Sequence, residues 1–173
     1  MRKHSLDKTF LFTVITLVVV GFFIFASASL GLLAREGAQF SSVAFSQVFL
    51  GIFMGSAALF VVSNIDYRIL KKYSLYIFIA SYLFTLLVFI PGLGFSYNGA
   101  TRWIDIFGFS VQPAEFLKLG FVIYFAAWLS GIRDKLHSFN YSVLPFIGIT
   151  GLIGLPLLLQ PDTGTYLVIL AAG

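Results

Sequence analysis

Along the chain, long apolar runs alternate with short polar connections. The runs have the length of a bilayer crossing, for which about 20 helical residues are needed. Residues 10–34 hold no charged side chain and predict a first membrane helix. Residues 43–63 predict a second, and residues 74–91 a third that begins after Lys72 and ends at Pro91. Residues 113–132 are long enough for a fourth but carry Glu115 and Lys118. Residues 141–159 predict a fifth, and residues 163–173 begin a sixth that is too short to span. The expected fold is an all-α polytopic membrane protein, with five transmembrane helices plus the start of a sixth in a single membrane domain over residues 1–173.

The first run also resembles a secretory leader. Arg2, Lys3 and Lys8 form a basic start, and Ala26-Ser27-Ala28 has the small residues of a signal-peptidase site. Leader cores run only about 7–15 residues, whereas this run continues to Ala34. A retained helix is therefore expected.

Composition reinforces the membrane reading. The chain is 59% hydrophobic and 10% charged, with 21 phenylalanines, more apolar surface than a soluble domain of 173 residues buries. The absence of cysteine excludes disulfides, thiolate metal sites and cysteine nucleophiles. A net charge of +4, scattered along the chain, does not suit a nucleic-acid partner. The basic residues bear on orientation instead. With the N-terminus inside, Arg2, Lys3, Lys8, Arg68, Lys71, Lys72, Arg133 and Lys135 fall on the inner face, against Arg35 and Arg102 outside. That excess predicts a cytoplasmic N-terminus. It places both the connection before Pro113 and Gln160-Pro161-Asp162 at the outer surface.

The outer connections hold the candidate chemistry. Pro113 suits the first position of a helix, which makes Gln112 its cap and Glu115 a first-turn carboxylate facing the positive end of the helix dipole. Lys118 lies deeper, where a cation faces protein or water and finds a partner. Glu115 and Lys118 stand i, i+3 and share a face, so they read either as an intrahelical ion pair or as the floor of an outward polar cavity. Arg102 carries a fork suited to phosphate or carboxylate. Asp162, ahead of Thr163-Gly164-Thr165, reads first as a helix cap. Gln112-Pro113 and Gln160-Pro161 are two helix approaches of similar design. The candidate outer cavity is thus Arg102, Gln112, Glu115, Lys118, Gln160 and Asp162. His4 and His137 lie far apart, and no metal-ligand spacing, phosphate loop or nucleophile elbow is present.

"NGATRWIDIFGFSVQPAEFLKL" resembles the signature of the shape, elongation, division and sporulation family, the FtsW and RodA proteins. Its elements are Gly99, Ala100, Arg102, Trp103 and Ile104, then Gln112, Pro113, Glu115 and Lys118. Gln160-Pro161-Asp162-x-Gly164-Thr165 is similar to a second family motif, and Asn64–Ser74 and Phe25–Gly31 match more weakly. "NGATRWI" and "SASLG" lean towards the FtsW-like, septal branch. The resemblance covers nearly the whole chain.

It implies the N-terminal half of a ten-helix fold in the bacterial cytoplasmic membrane. The implied activity is polymerisation of peptidoglycan strands from lipid II during division or elongation. Implied partners are a class B penicillin-binding protein and other membrane proteins of the divisome or elongasome. The cofactor stays open, a divalent cation included. By the same resemblance, Arg102 and Lys118 serve the pyrophosphate or hold the cavity's shape, while Gln112, Glu115 and Asp162 position neighbours or sugars. The family's essential aspartate lies in an outer loop after the seventh helix. A fragment of a longer protein is therefore expected, with no catalytic residue in this chain. Two alternatives stay open: a lipid-linked precursor flippase or transporter, and a non-enzymatic module that binds a partner's membrane helix. For the latter, Gly51 and Gly55 form a G-x-x-x-G pair.

Overall fold

The computed structural model describes residues 7–33, 51–53, 55–97, 99–106 and 109–173. The chain divides into two units, Met1–Val62 and Ser63–Gly173. In the first, α1 runs Lys8–Leu33 and is apolar on all sides, as a helix facing lipid is. Asp7 caps it, its carboxylate accepting the amides of Thr9 and Phe10 at 3.0 and 3.1 Å. The hydroxyls of Thr13 and Thr16 donate back to the carbonyls of Thr9 and Phe12 at 2.9 and 2.8 Å, so neither faces hydrocarbon unpaired. The second apolar run contains α2, Gly55–Ser63; its residues 43–50 lie outside the described residues. A Cβ built at Gly55 meets no atom within 4 Å among the described residues, so no close packing is seen at that half of the G-x-x-x-G pair.

The second unit opens with α3, Tyr67–Leu86, which continues as a 3-10 turn over Leu87–Phe89. The helix predicted from residue 74 therefore begins seven residues earlier. Asp66 sits in extended backbone and accepts the Arg68 amide at 2.9 Å. A helix needs a cap and backbone bonds to start, not an apolar residue. The segment Tyr67–Lys72, which the apolar pattern leaves outside the third run, is thus the first turns of α3. Pro91 follows the turn and disfavours helix at the residue before it.

The connection to the next helix folds into a small antiparallel sheet that the hydropathy pattern did not predict. Strands β1 (Gly94–Tyr97), β2 (Ala100–Ile106) and β3 (Phe109–Val111) lie in that order. Gly94 pairs with Ile104, and Ile104 in turn with Val111. Gly99, at φ +78°, turns the chain between β1 and β2 in a conformation that glycine adopts without strain. Ile104 points inward and is buried, while Asp105 and Ile106 are exposed. Helices follow: α4 (Pro113–Gly131), a 3-10 turn (Arg133–Lys135), α5 (Val143–Leu159) and α6 (Thr163–Ala172).

The core of this unit lies between helices. Ala114, Leu117, Phe121 and Phe125 recur at helical spacing along α4 and pack with Phe78 of α3, Ile153 and Leu157 of α5 and Ile169 of α6. Rings stack at Phe78–Tyr124 (5.1 Å between centroids) and Phe121–Phe125 (5.3 Å). Two glycines let helices approach closely. A Cβ on Gly120 would stand 2.3 Å from the Ser81 hydroxyl of α3, and one on Gly154 would stand 2.9 Å from the Tyr166 ring of α6. Among the described residues the apolar runs are helical, as a polytopic membrane fold requires. Among the described residues, Lys8–Phe25 within α1, α3 with its 3-10 turn (Tyr67–Phe89) and α4 are long and apolar enough to cross a bilayer; α5 and α6 are shorter apolar helices.

Candidate functional site

Four of the sequence candidates meet at the Pro113 end of α4. Gln160 follows α5, and its backbone amide donates to the Pro156 carbonyl at 3.0 Å, closing the helix end. The residue is 1% exposed, and its side chain donates through Nε2 to the Thr85 carbonyl at 3.1 Å. Thr85 lies in the last turn of α3, where carbonyls run out of intrahelical donors. Gln160 thus ties the end of α5 to the end of α3. Its Oε1 is buried without a partner among the described residues.

Asp162 caps α6 as expected. Its Oδ1 accepts the Thr165 amide at 3.4 Å. At 4% exposed it is a buried carboxylate, which needs partners to stay charged. Gln112 supplies one, donating Nε2 to Oδ2 at 2.9 Å. Arg102 supplies the other, with Nη1 3.9 Å from Oδ1. The same guanidinium donates Nε to the Gln160 carbonyl at 3.3 Å and Nη2 to the Pro161 carbonyl. Arg102 comes from β2, Gln112 from the junction of β3 with α4, and the other two from the turn between α5 and α6. The segments 99–118 and 160–165 are therefore locked by one polar clasp that spans more than 40 residues of sequence in every link.

The clasp changes the reading of two side chains. Gln112 holds the cap position of α4 but makes no side-chain capping bond; its Nε2 donates to Asp162 instead. Arg102, whose fork suits phosphate or carboxylate, directs it at its own chain, towards the Gln160 and Pro161 carbonyls and the Asp162 carboxylate. Glu115 and Lys118 stand apart from this network. Lys118 Nζ lies 2.8 Å from Glu115 Oε2, the intrahelical pair that their spacing allows. Among the described residues no side-chain hydrogen bond or ion pair joins that pair to the clasp; the link is the backbone of α4, where the Glu115 amide donates to the Gln112 carbonyl at 3.1 Å. The Lys118 side chain is 26% exposed and that of Glu115 55% exposed, so the cation's partner is itself largely open. The six candidates thus form two groups, a buried clasp and an open ion pair one turn into α4. Sequence reasoning missed Thr85, whose carbonyl anchors Gln160. A threonine near the end of an apolar run is a weak signal, since its hydroxyl simply donates back to Ser81 at 2.9 Å. Among the described residues, no three His, Asp or Glu side chains gather as a metal site would need.

Residues 7–173 match the cell cycle protein family named for FtsW, RodA and SpoVE. The chain is 33% identical over 166 residues to the probable peptidoglycan glycosyltransferase FtsW of Alcanivorax borkumensis, covering 95% of this chain and 43% of that protein. It matches the crystal structure of rod shape determining protein RodA from Thermus thermophilus with a TM-score of 0.68 at 27% identity, over 98% of this chain and 52% of that one. It also matches a chain from a structure described as "Structural coordination of polymerization and crosslinking by a peptidoglycan synthase complex". There the TM-score is 0.71 at 27% identity, over 95% of this chain and 44% of that one. The chain spans about a third to under half the length of the curated relatives it matches.

Proposed function

The chain belongs to the FtsW, RodA and SpoVE family of cell cycle proteins, and from that premise we propose that the protein it represents polymerises peptidoglycan strands from lipid II. The observation that carries the proposal is the clasp joining the two signature segments next to an intramembrane cation whose one partner is exposed. The clasp end of α4 is assigned to the outer face of the bacterial cytoplasmic membrane, in keeping with the basic residues at the opposite ends. A lipid-linked disaccharide presents its pyrophosphate at that depth.

Glycosyl transfer requires a base to take the proton of the acceptor hydroxyl and positive charge to stabilise the departing pyrophosphate. In this chain the clasp does the shaping. Arg102, Gln112, Gln160 and Asp162 bond to one another and to the backbone of Thr85, Pro161 and Thr165, and so fix the outer ends of α3, α4, α5 and α6. Lys118 is the cation left to interact with a ligand, because its partner Glu115 is exposed and an ion pair open to solvent holds weakly. The base is assigned to the outer loop that the family resemblance implies, outside residues 1–173. A class B penicillin-binding protein is the proposed partner, supported by the likeness to a synthase complex that couples polymerisation with crosslinking.

The test is direct. The complete protein, reconstituted in vesicles with its class B partner and fluorescent lipid II, is expected to build strands resolvable on a gel. Lipid II that crosses to the other leaflet without being joined into strands would mark a flippase and overturn the proposal.

A further inference from the structure

A second polar feature lies at the far end of the same helices. Ser130 is seventeen residues beyond Pro113, about 26 Å along α4 at 1.5 Å per residue, close to the thickness of a hydrocarbon core. Here the first turns of α3 and the last turns of α4 border a half-open cavity of about 470 Å³. Leu70 and Ile123 form apolar walls, while Tyr67, Lys71, Ser130 and Arg133 line the polar side. Lys71 and Arg133 come from different helices' ends and face one space.

These two cations differ from their neighbours. Lys72 sits over the Tyr73 ring at 5.4 Å, and Lys135 over the Tyr141 ring at 4.7 Å. Asp66 is occupied in capping α3 through the Arg68 amide. Asp134 adjoins Arg133 in sequence, but neither Lys71 nor Arg133 makes an ion pair among the described residues. Ser130 donates its hydroxyl to the Ala127 carbonyl at 2.7 Å, leaving its oxygen no free proton to give. The cavity therefore offers two unpaired cations above an apolar wall, between helices, at one membrane face. Basic pockets of that kind hold anionic lipid headgroups.

We propose that this cavity binds an anionic phospholipid of the inner leaflet, its phosphate against Lys71 and Arg133 and the start of its acyl chains against Leu70 and Ile123. The apolar wall favours a lipid over free phosphate, which would leave that wall unused. The assignment to the inner leaflet rests on the proposed orientation, but binding itself does not.

The test uses the complete protein, delipidated in detergent micelles, with native mass spectrometry to count bound lipid. Phosphatidylglycerol is titrated against phosphatidylcholine. A Lys71→Gln/Arg133→Gln pair is compared with Lys72→Gln/Lys135→Gln, which removes the same charge outside the cavity. The wild type should prefer phosphatidylglycerol. The cavity pair should lose about thirtyfold in affinity for it, about fivefold for each cation removed. The control pair should stay near wild type. Where the double variant fails to fold, as judged by its melting temperature, Arg133→Gln alone should show the fivefold loss. Equal binding of the two lipids, equal losses in both pairs, or displacement by inorganic phosphate at comparable concentration would each overturn the proposal. Micelles carry no inner face, so these outcomes are separate from the orientation, which cysteine labelling at position 133 in sealed vesicles determines on its own.

Discussion

Asp162→Ala tests the clasp most sharply, because one carboxylate serves three elements. It caps α6 through the Thr165 amide, accepts from Gln112 and faces Arg102. Loss of a cap costs about 0.5–2 kcal/mol. Loss of a hydrogen bond to a buried charge costs about 1.5–3 kcal/mol, since the Gln112 amide is left without its acceptor. The Arg102 contact, at 3.9 Å with a guanidinium side chain 35% exposed, adds little, at most about 1 kcal/mol. Asp162→Ala should therefore destabilise the folded protein by roughly 2–5 kcal/mol. Asp162→Asn keeps an acceptor for the Thr165 amide or for Gln112 and should cost about half as much. Both are read as shifts in denaturant midpoint in detergent micelles at constant slope. A double-mutant cycle with Gln112→Ala should give a coupling of about 0.5–3 kcal/mol. The reasoning fails if Asp162→Ala unfolds at the wild-type midpoint while strand synthesis by the complete protein stops. Asp162 would then act on substrate and not on the fold.

Other consequences follow from single contacts. Gly120→Ala should destabilise by about 1–3 kcal/mol, because the new methyl meets the Ser81 hydroxyl. Adding Ser81→Ala should recover part of that loss, and failure to recover any would place the strain elsewhere. Asp66→Ala should remove the α3 cap at a cost of about 1 kcal/mol. Amide exchange should then quicken at Arg68 and Ile69 while the clasp residues keep their protection. Uniform quickening along α3 would mean that the cap does more than hold the first turn.

What the sequence made legible was local. The apolar run from Pro113 and the proline itself announce α4, and Asp162 ahead of a Thr-Gly-Thr start announces a cap. The Glu115–Lys118 pair follows from i, i+3 spacing alone. Two things escaped. Counting apolar residues started α3 after its last lysine, yet Asp66 begins the helix and the wet first turns tolerate Arg68, Lys71 and Lys72. The strands of residues 94–111 escaped because a membrane pattern treats that stretch as a loop, although Asn98-Gly99 is a strong hairpin signal. The clasp itself was legible only as a set of residue types. Nothing local says that Arg102 would bond to carbonyls nearly 60 residues away, or that Gln112 would abandon its own helix for Asp162. Those choices depend on how the helices pack, and the packing depends on Gly120, Gly154 and the rings around them.

The clasp and the ion pair make different demands on function. If the clasp shapes the site and Lys118 meets the pyrophosphate, the two can be separated by comparing stability with strand synthesis. The decisive measurement is lipid II polymerisation by the complete protein with its partner, wild type beside Lys118→Met, at matched membrane insertion and melting temperature. Strands from the wild type and a loss of about a hundredfold or more in the variant are predicted, the scale set by removing a charge that stabilises a departing anion. Wild-type rates in Lys118→Met, or no strands from the wild type, would contradict the account.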